Sequence, residues 1–246
     1  MSRLHKPKAG FWIRLCVAVL YPLGGLLFRI RWRHLDRIPP TGGVVLVINH
    51  LSQLDTVLMA RLVWQSGRLP RFMVKDDVFS WPIVRTIMRG SRQIPVTRGT
   101  SDAAKSLHAA IEALDRGEAV IIYPEGTTTK DPAGWPMQAK TGIARLVLLT
   151  PDTPVVPVGQ WGAQRRKGWR RLVPVRRVAS ASVGYPLDLS AYHGAEATLS
   201  VLRDITNTIM LAVRHEVAEA RGEPPPPEFF RPPTVPQRRK QRAKTA

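Results

Sequence analysis

Between about residues 43 and 187 the apolar positions fall into two rhythms. Continuous β-branched and aliphatic runs occupy 44–48 and 119–123, and shorter ones 72–74, 93–96 and 155–158. These read as strands, and the two longer runs are apolar at nearly every position, as in strands covered on both faces. The intervening stretches 53–65, 81–88, 101–115 and 138–149 carry apolar residues at helical spacing. In the third of them Leu107, Ala110, Ile111 and Leu114 share one face and Gly117 supplies a stop. Alternation of this kind predicts an α/β fold, a central mostly parallel sheet flanked by helices. Later, "RRLVPVRRVASASVGYPL" reads as one or two more strands, and a last helix is predicted over 196–221.

The two ends read differently. In "AGFWIRLCVAVLYPLGGLLFRIRWR" the uncharged run from 16 to 28 is shorter than the roughly 18 to 20 apolar residues that span a bilayer. Arg14 interrupts its approach, and Pro22, Gly24 and Gly25 break it. Arg29, Arg31 and Arg33 follow where a signal peptide would need small residues. The segment 1–38 therefore reads as a bent, interfacial, membrane-associated helical motif. Trp12, Leu20 and Leu27 would touch the membrane, and the arginines would meet lipid phosphates. An ordinary core helix is the plainer alternative. After Gly222, "EPPPPEFFRPPTVPQRRKQRAKTA" is proline-rich and then basic, which reads as a disordered tail over 223–246. That leaves 39–222 as the α/β domain.

Charge narrows the partners. The 246 residues include 37 Lys and Arg against 18 Asp and Glu, a net charge of +19. Such a surface seeks anions, whether nucleic acid, anionic lipid or a phosphorylated substrate. Cys16 is the only cysteine, so there is neither an internal disulfide nor a cysteine metal cage, and no metal site is expected.

The chemistry gathers at strand exits. "VLVINHLSQLD" ends a buried run in Asn49 and His50, with Asp55 five residues on. On one continuous helix residues five apart diverge by roughly 140°. With His50 on a loop after a strand ending near Ile48, and Asp55 in the helix that follows, the imidazole can fold back onto the carboxylate. Imidazole titrates near neutrality, and a carboxylate fixes its tautomer and stabilises the imidazolium. No serine or cysteine nucleophile stands in a matching motif, so the pair suits a base acting on a substrate hydroxyl. The plainer reading is a capping box, in which Ser52 and Asp55 satisfy free amides at the helix start.

A second strand exit, "AVIIYPEGTTTK", ends in Pro124, Glu125, Gly126 and Thr127. Gly126 permits a positive φ, and Thr127 with its neighbours offers hydroxyls and amides to an anion. A simple β-turn is the plainer reading. In "MRGSRQIPVTRG", Arg98 follows the 93–96 strand and would project from the same carboxyl edge, where open α/β sheets place ligands. Its guanidinium can grip phosphate with two hydrogen bonds. Asn49, Arg92 and Lys75 are additional candidates.

Taken in order, "NHLSQLD", "QIPVTRG", "YPEGTTT" and "TPVVPVG" resemble the four blocks of the glycerolipid acyltransferases, typified by 1-acylglycerol-3-phosphate acyltransferase. Asn49, His50 and Asp55 match the Asn-His-x4-Asp block. Tyr123 to Thr127 follow Phe-Pro-Glu-Gly-Thr-Arg except that Tyr123 replaces the phenylalanine and Thr128 stands where the family has arginine. Val156 and Pro157 match the last block, and "KTGIARLVL" from Lys140 resembles the helix before it. The resemblance spans roughly residues 10 to 190. It implies that His50, oriented by Asp55, deprotonates a glycerol hydroxyl that attacks the thioester of acyl-CoA or acyl-ACP (acyl carrier protein), with no acyl-enzyme and no cofactor. It implies that Arg98, Glu125, Gly126 and Thr127 hold the phosphate of a glycerol phosphate lipid acceptor, and that amides near the first block stabilise the oxyanion. It also implies a two-helix N-terminal motif on an anionic membrane surface, and a monotopic or peripheral place on the cytoplasmic face of the cell membrane. Thr128 removes one expected cation, which leaves open Arg92 or Lys130 as substitutes, or another acceptor. A basic nucleic-acid-binding module is the rival from another class. The chain has no RNA-binding signature and no zinc spacing, and its basic residues surround an apolar anchor. An inactive scaffold is disfavoured by the presence of both His50 and Asp55.

Overall fold

The structure is a computed structural model and describes residues 9–96, 102–164 and 176–232. Among these, seven strands form one sheet: β1 (Phe28–Arg33), β2 (Val44–Ile48), β3 (Pro70–Lys75), β4 (Ile94–Val96), β5 (Ala119–Ile122), β6 (Val155–Trp161) and β7 (Arg177–Val183). Their order is β1-β7-β6-β2-β5-β3-β4. Every neighbouring pair is parallel except β6 with β7. The helices are α1 (Phe11–Leu27), α2 (Asp55–Gln65), α3 (Pro82–Gly90), α4 (Asp102–Asp115), α5 (Gly142–Leu149) and α6 (Leu199–Arg221). This is the expected α/β architecture with helices on both faces.

The apolar runs are explained by their place in the sheet. β2 lies between β6 and β5 and is buried at all five positions. Its side chains alternate between two cores. Val45 and Val47 pack with Ile143 and Leu146 of α5 and with Ile205 and Ile209 of α6. Val44, Leu46 and Ile48 pack with Leu58, Met59 and Leu62 of α2 on the other face. Deep burial on both sides makes the middle strands a rigid base for the loops at their carboxyl ends.

The N-terminal segment departs from expectation in three ways. Residues 28–33 are not helical: β1 pairs with β7 at the sheet edge, so the α/β unit begins inside the segment expected to precede it. The sequence FRIRWR alternates, with Arg29, Arg31 and Arg33 exposed and Phe28 buried. Charged side chains on an edge strand guard it against pairing with other chains. Next, one helix, rather than two, fills the described part of the motif, and it runs on through Pro22. Gly24 is a contact more than a break: a Cβ there would stand 2.6 Å from Cδ of Arg61 in α2, so its absence lets α1 lie close on α2. Finally, Trp12, Leu20 and Leu27 are half-buried, while Phe11, Leu15, Val19, Leu23 and Leu26 are exposed.

The tail expected to be disordered from 223 packs back at its start. Phe230 bridges to Met137, its carbonyl accepts from Gln138 N at 3.2 Å, and the Arg214 guanidinium lies 4.6 Å from the Phe229 ring centre. Residues 233–246 lie outside the described residues.

Candidate active site

Two strand exits build the site. β2 and β5 are direct neighbours, with Val47 opposite Ile122, so the loops leaving them emerge side by side. His50 lies on the first loop, two residues past the end of β2. Asp55 opens α2. The imidazole Nδ1 is 3.0 Å from Asp55 Oδ2. A carboxylate can only accept, so Nδ1 carries the proton and Nε2 keeps the lone pair. His50 lines a cleft of about 780 Å³, and Nε2 is the nitrogen left for a substrate.

The contacts of Asp55 are compatible with both the catalytic and the capping reading. It is fully buried, and Oδ2 also accepts from the amides of Leu51 and, at 2.9 Å, Ser52. The Ser52 hydroxyl lies 3.1 Å from Oδ1 and 2.7 Å from the carbonyl of Ala163. Each partner offsets part of the cost of burying the charge. The carboxylate thus folds the loop and aims the imidazole in one arrangement.

The second exit locks the first in place. Glu125 is buried, and Oε1 accepts from His50 N while Oε2 accepts from Met137 N, each at 2.9 Å. Thr129 N donates to the carbonyl of His50 at 2.7 Å, and Lys140 N to that of Pro124 at 3.0 Å. Glu125 was expected to help hold an acceptor. Both of its oxygens instead face backbone amides, which makes it a strap between the loops. Burial pushes its carboxyl up from 4.5 to about 7, the Met137 and His50 amides oppose the rise, and the charges of Asp55 and Asp131 add to it. Gly126 makes the turn with a φ of 71°, as its position suggested. The amides of residues 50 to 52, where oxyanion donors were expected, are all committed to carboxylates.

Tyr123 supports the imidazole from beneath. Its ring stacks on His50 with centres 4.4 Å apart and planes 25° apart, and Phe72 continues the stack at 6.4 Å. Burial, and then the charge of Asp55, pushes the phenol well above its usual 10, so it stays neutral. The sequence places Tyr123 at the head of the second strand-exit block, but nothing in its pattern marks the ring as a partner of His50.

The remaining candidates separate. Gly126 and Thr127 line the cleft with Thr128, and Lys75 lines it while pairing with Asp77. Lys140 and Arg145 add cations that motif reasoning passed over. Asn49 is structural: buried, it donates to the carbonyl of Gln160 at 3.1 Å and accepts from its amide at 2.9 Å, tying β2 to β6. Arg92 and Lys130 are exposed and outside the cleft lining. Arg98 lies outside the described residues.

Known proteins resemble this chain. A family model described as Acyltransferase matches residues 29–161. N-acylphosphatidylethanolamine synthase of Arabidopsis thaliana is 28% identical over 183 residues, 68% of this chain and 64% of the relative. 1-Acyl-sn-glycerol-3-phosphate acyltransferase LPAT1, chloroplastic, of the same organism is 26% identical over 65% of this chain and 45% of its own. A lyso-ornithine lipid O-acyltransferase of Rhodobacter capsulatus is 27% identical over 73% of this chain and 67% of its own. The chain thus spans less than two thirds of the length of the first two relatives. Among solved structures, the 1-acyl-sn-glycerophosphate acyltransferase PlsC of Thermotoga maritima superposes with a TM-score of 0.62 at 19% identity, covering 87% of this chain and 81% of that one.

Proposed function

The chain belongs to the Acyltransferase family, and from that premise we propose that it moves a fatty acyl group from acyl-CoA or acyl-ACP to a hydroxyl of a lysolipid, with 1-acylglycerol-3-phosphate as the first acceptor to test and phosphatidate as the product. The observation that carries this reading is the 3.0 Å contact between His50 Nδ1 and Asp55 Oδ2 in the wall of a large cleft. His50 Nε2 takes the proton of the acceptor hydroxyl as its oxygen attacks the thioester carbonyl. Asp55 stabilises the imidazolium. The tetrahedral intermediate then expels the thiolate, which receives the proton back from Nε2. No acyl-enzyme forms. Lys75, Lys140 and Arg145 on the cleft wall, with the hydroxyls of Thr127 and Thr128, suit the acceptor's anionic group. Arg98 is the further candidate for that role. The enzyme works from the membrane surface, on the cytoplasmic face of the cell membrane, where lysolipids reside.

One observation favours a second acceptor. Thr128 removes a cation that phosphate recognition in this family uses, and a relative matched over most of this chain is named for lyso-ornithine lipid. An acceptor whose headgroup carries less negative charge than phosphate suits that cleft. The deciding experiment is thiol release from palmitoyl-CoA with a panel of acceptors: 1-acylglycerol-3-phosphate, lyso-ornithine lipid, glycerol-3-phosphate and phosphatidylethanolamine. Release that depends on a hydroxyl acceptor and is lost in His50→Ala supports the proposal. Release with no acceptor dependence, or only with the amine of phosphatidylethanolamine, overturns it.

A further inference from the structure

The surface around α1 is larger than α1. On that helix Phe11, Leu15, Val19, Leu23 and Leu26 are 39 to 74% exposed and fall within about 120° of arc at roughly 100° per residue. Soluble domains turn such a stripe inward. A second apolar group comes from far along the chain. Trp81 and Ile83 are 71% and 77% exposed, and α3, which they open, has no buried residue. Ile83, Val84, Ile87 and Met88 share one side of α3, while Arg85 and Arg89, both exposed, lie on the other.

The two groups adjoin. The Trp12 ring lies so directly over Gly90 that a Cβ there would stand 2.1 Å from Trp12 Cδ1, which brings the end of α3 against the start of α1. Ile83 is seven residues before Gly90, about 20° away around the helix, so it emerges on the α1 side beyond the part that α1 covers. The 3-10 turn Asp76–Ser80 leads into α3, and its Val78 is 38% exposed and also lines the cleft. The apolar surface therefore reaches the rim of the site.

We propose that residues 76–90 form a second membrane foot. Trp81 and Ile83 enter the acyl region of an anionic bilayer beside the α1 stripe, Arg85 and Arg89 stand at the level of lipid phosphates, and the cleft mouth at Val78 is thereby held at the lipid surface. The pattern is that of an interfacial amphipathic helix with a basic polar face, and a net charge of +19 matches an anionic surface. No helix among the described residues is long and apolar enough to cross a membrane. The inference deepens the proposed function, relying on it for the reason that the cleft should face lipid.

The test is sedimentation of the full chain with phosphatidylglycerol–phosphatidylethanolamine vesicles and with phosphatidylcholine vesicles, at low and high salt. A Trp81→Ser, Ile83→Ser double variant should partition at least about tenfold less onto anionic vesicles. A control, Leu199→Ser with Leu211→Ser on α6, should match wild type. Thiol release from a short-chain thioester with a soluble short-chain acceptor should be unchanged in the double variant. Partition equal to the control overturns the proposal. Loss of the soluble activity in a folded double variant does so as well, since the patch would then belong to the cleft. A direct readout adds Ile83→Cys in a Cys16→Ser background, labelled with an environment-sensitive dye. Its emission should shift to the blue on anionic vesicles, and unchanged emission overturns the foot. Failure of wild type to bind any vesicle also overturns it and leaves the patch to a protein partner. If wild type binds vesicles but no acceptor supports thiol release, the acyltransfer reading fails while the foot stands.

Discussion

Replacing Glu125 by glutamine separates a strap from a substrate contact, and the effect follows from the geometry. The carboxylate is 3% exposed, with one oxygen on the His50 amide and the other on the Met137 amide. Its carboxyl sits at about 7 against a usual 4.5. Between those values the folded chain keeps a proton that the unfolded chain has released. This group's contribution to stability therefore falls as pH rises through that window. A displacement from 4.5 to about 7 is worth about 3 kcal/mol. Glutamine does not titrate. The stability of wild type relative to Glu125→Gln should thus decline by up to about 3 kcal/mol from pH 4.5 to pH 7.5, with wild type favoured at the acidic end.

Glutamine also brings a cost that pH leaves alone. Its NH₂ group must face one of the two amide N–H groups, donor against donor, and an unpaired buried donor costs about 1 to 3 kcal/mol. The offset and the slope are separable by urea unfolding at several pH values, provided the denaturant dependence stays constant. Parallel wild-type and variant profiles would refute the reasoning, because they would mean that Glu125 ionises in the folded chain as it does in water. Kinetics supply the second arm. A strap acts through the loop that carries His50, so kcat should fall while the acceptor's KM holds. A change in acceptor KM alone would return Glu125 to the acceptor-binding role that its motif suggested.

Three further outcomes are expected. His50→Ala should lower kcat by about 100-fold or more, the usual size of a general-base contribution; near-normal turnover in a folded variant would remove His50 from the chemistry. Tyr123→Phe keeps the ring under the imidazole and should hold kcat within about threefold, whereas Tyr123→Leu loses a stack worth about 0.5 to 1.5 kcal/mol and should lower kcat by about tenfold; equal behaviour of the two variants would deny the ring a role. Thr128→Arg restores a cation to the cleft wall and should lower KM for 1-acylglycerol-3-phosphate relative to lyso-ornithine lipid, as read in paired initial-rate assays; an unchanged ratio would mean that position 128 does not meet the headgroup.

Much of this was legible because burial on two faces leaves a plain mark. The apolar runs at 44–48 and 119–123 located β2 and β5 to within a residue, and the five-residue step from His50 to Asp55 required the loop that the structure contains. β1 escaped notice because its six alternating residues follow α1 with no turn residue between them. An arginine-rich continuation of a helix and an edge strand then look alike. The side of α1 was illegible for a related reason. Apart from Arg14 the helix carries no charge on any side, so its pattern says little about which arc meets α2, and the glycines that settle the matter act through Arg61, more than thirty residues away.

Glu125 marks where local pattern stops informing. A carboxylate after a strand can receive a hydroxyl, hold an arginine or gather amides, and its neighbours in sequence are the same in each case. The choice was made by sheet order. β5 lies beside β2 rather than beside its own chain neighbours, so Glu125 meets the amide of His50 across 75 residues. Once that contact exists, the His50 loop and the strap are one mechanical unit, and the two motif carboxylates, Asp55 and Glu125, have distinct tasks. Asp55 aims the imidazole, and Glu125 holds the peptide from which that imidazole hangs. Under the proposed function, the acceptor's anionic group would then meet the cations of the cleft wall, Lys75 on β3, Lys140 before α5 and Arg145 on α5, and it is there, with Arg98, that acceptor choice should be sought.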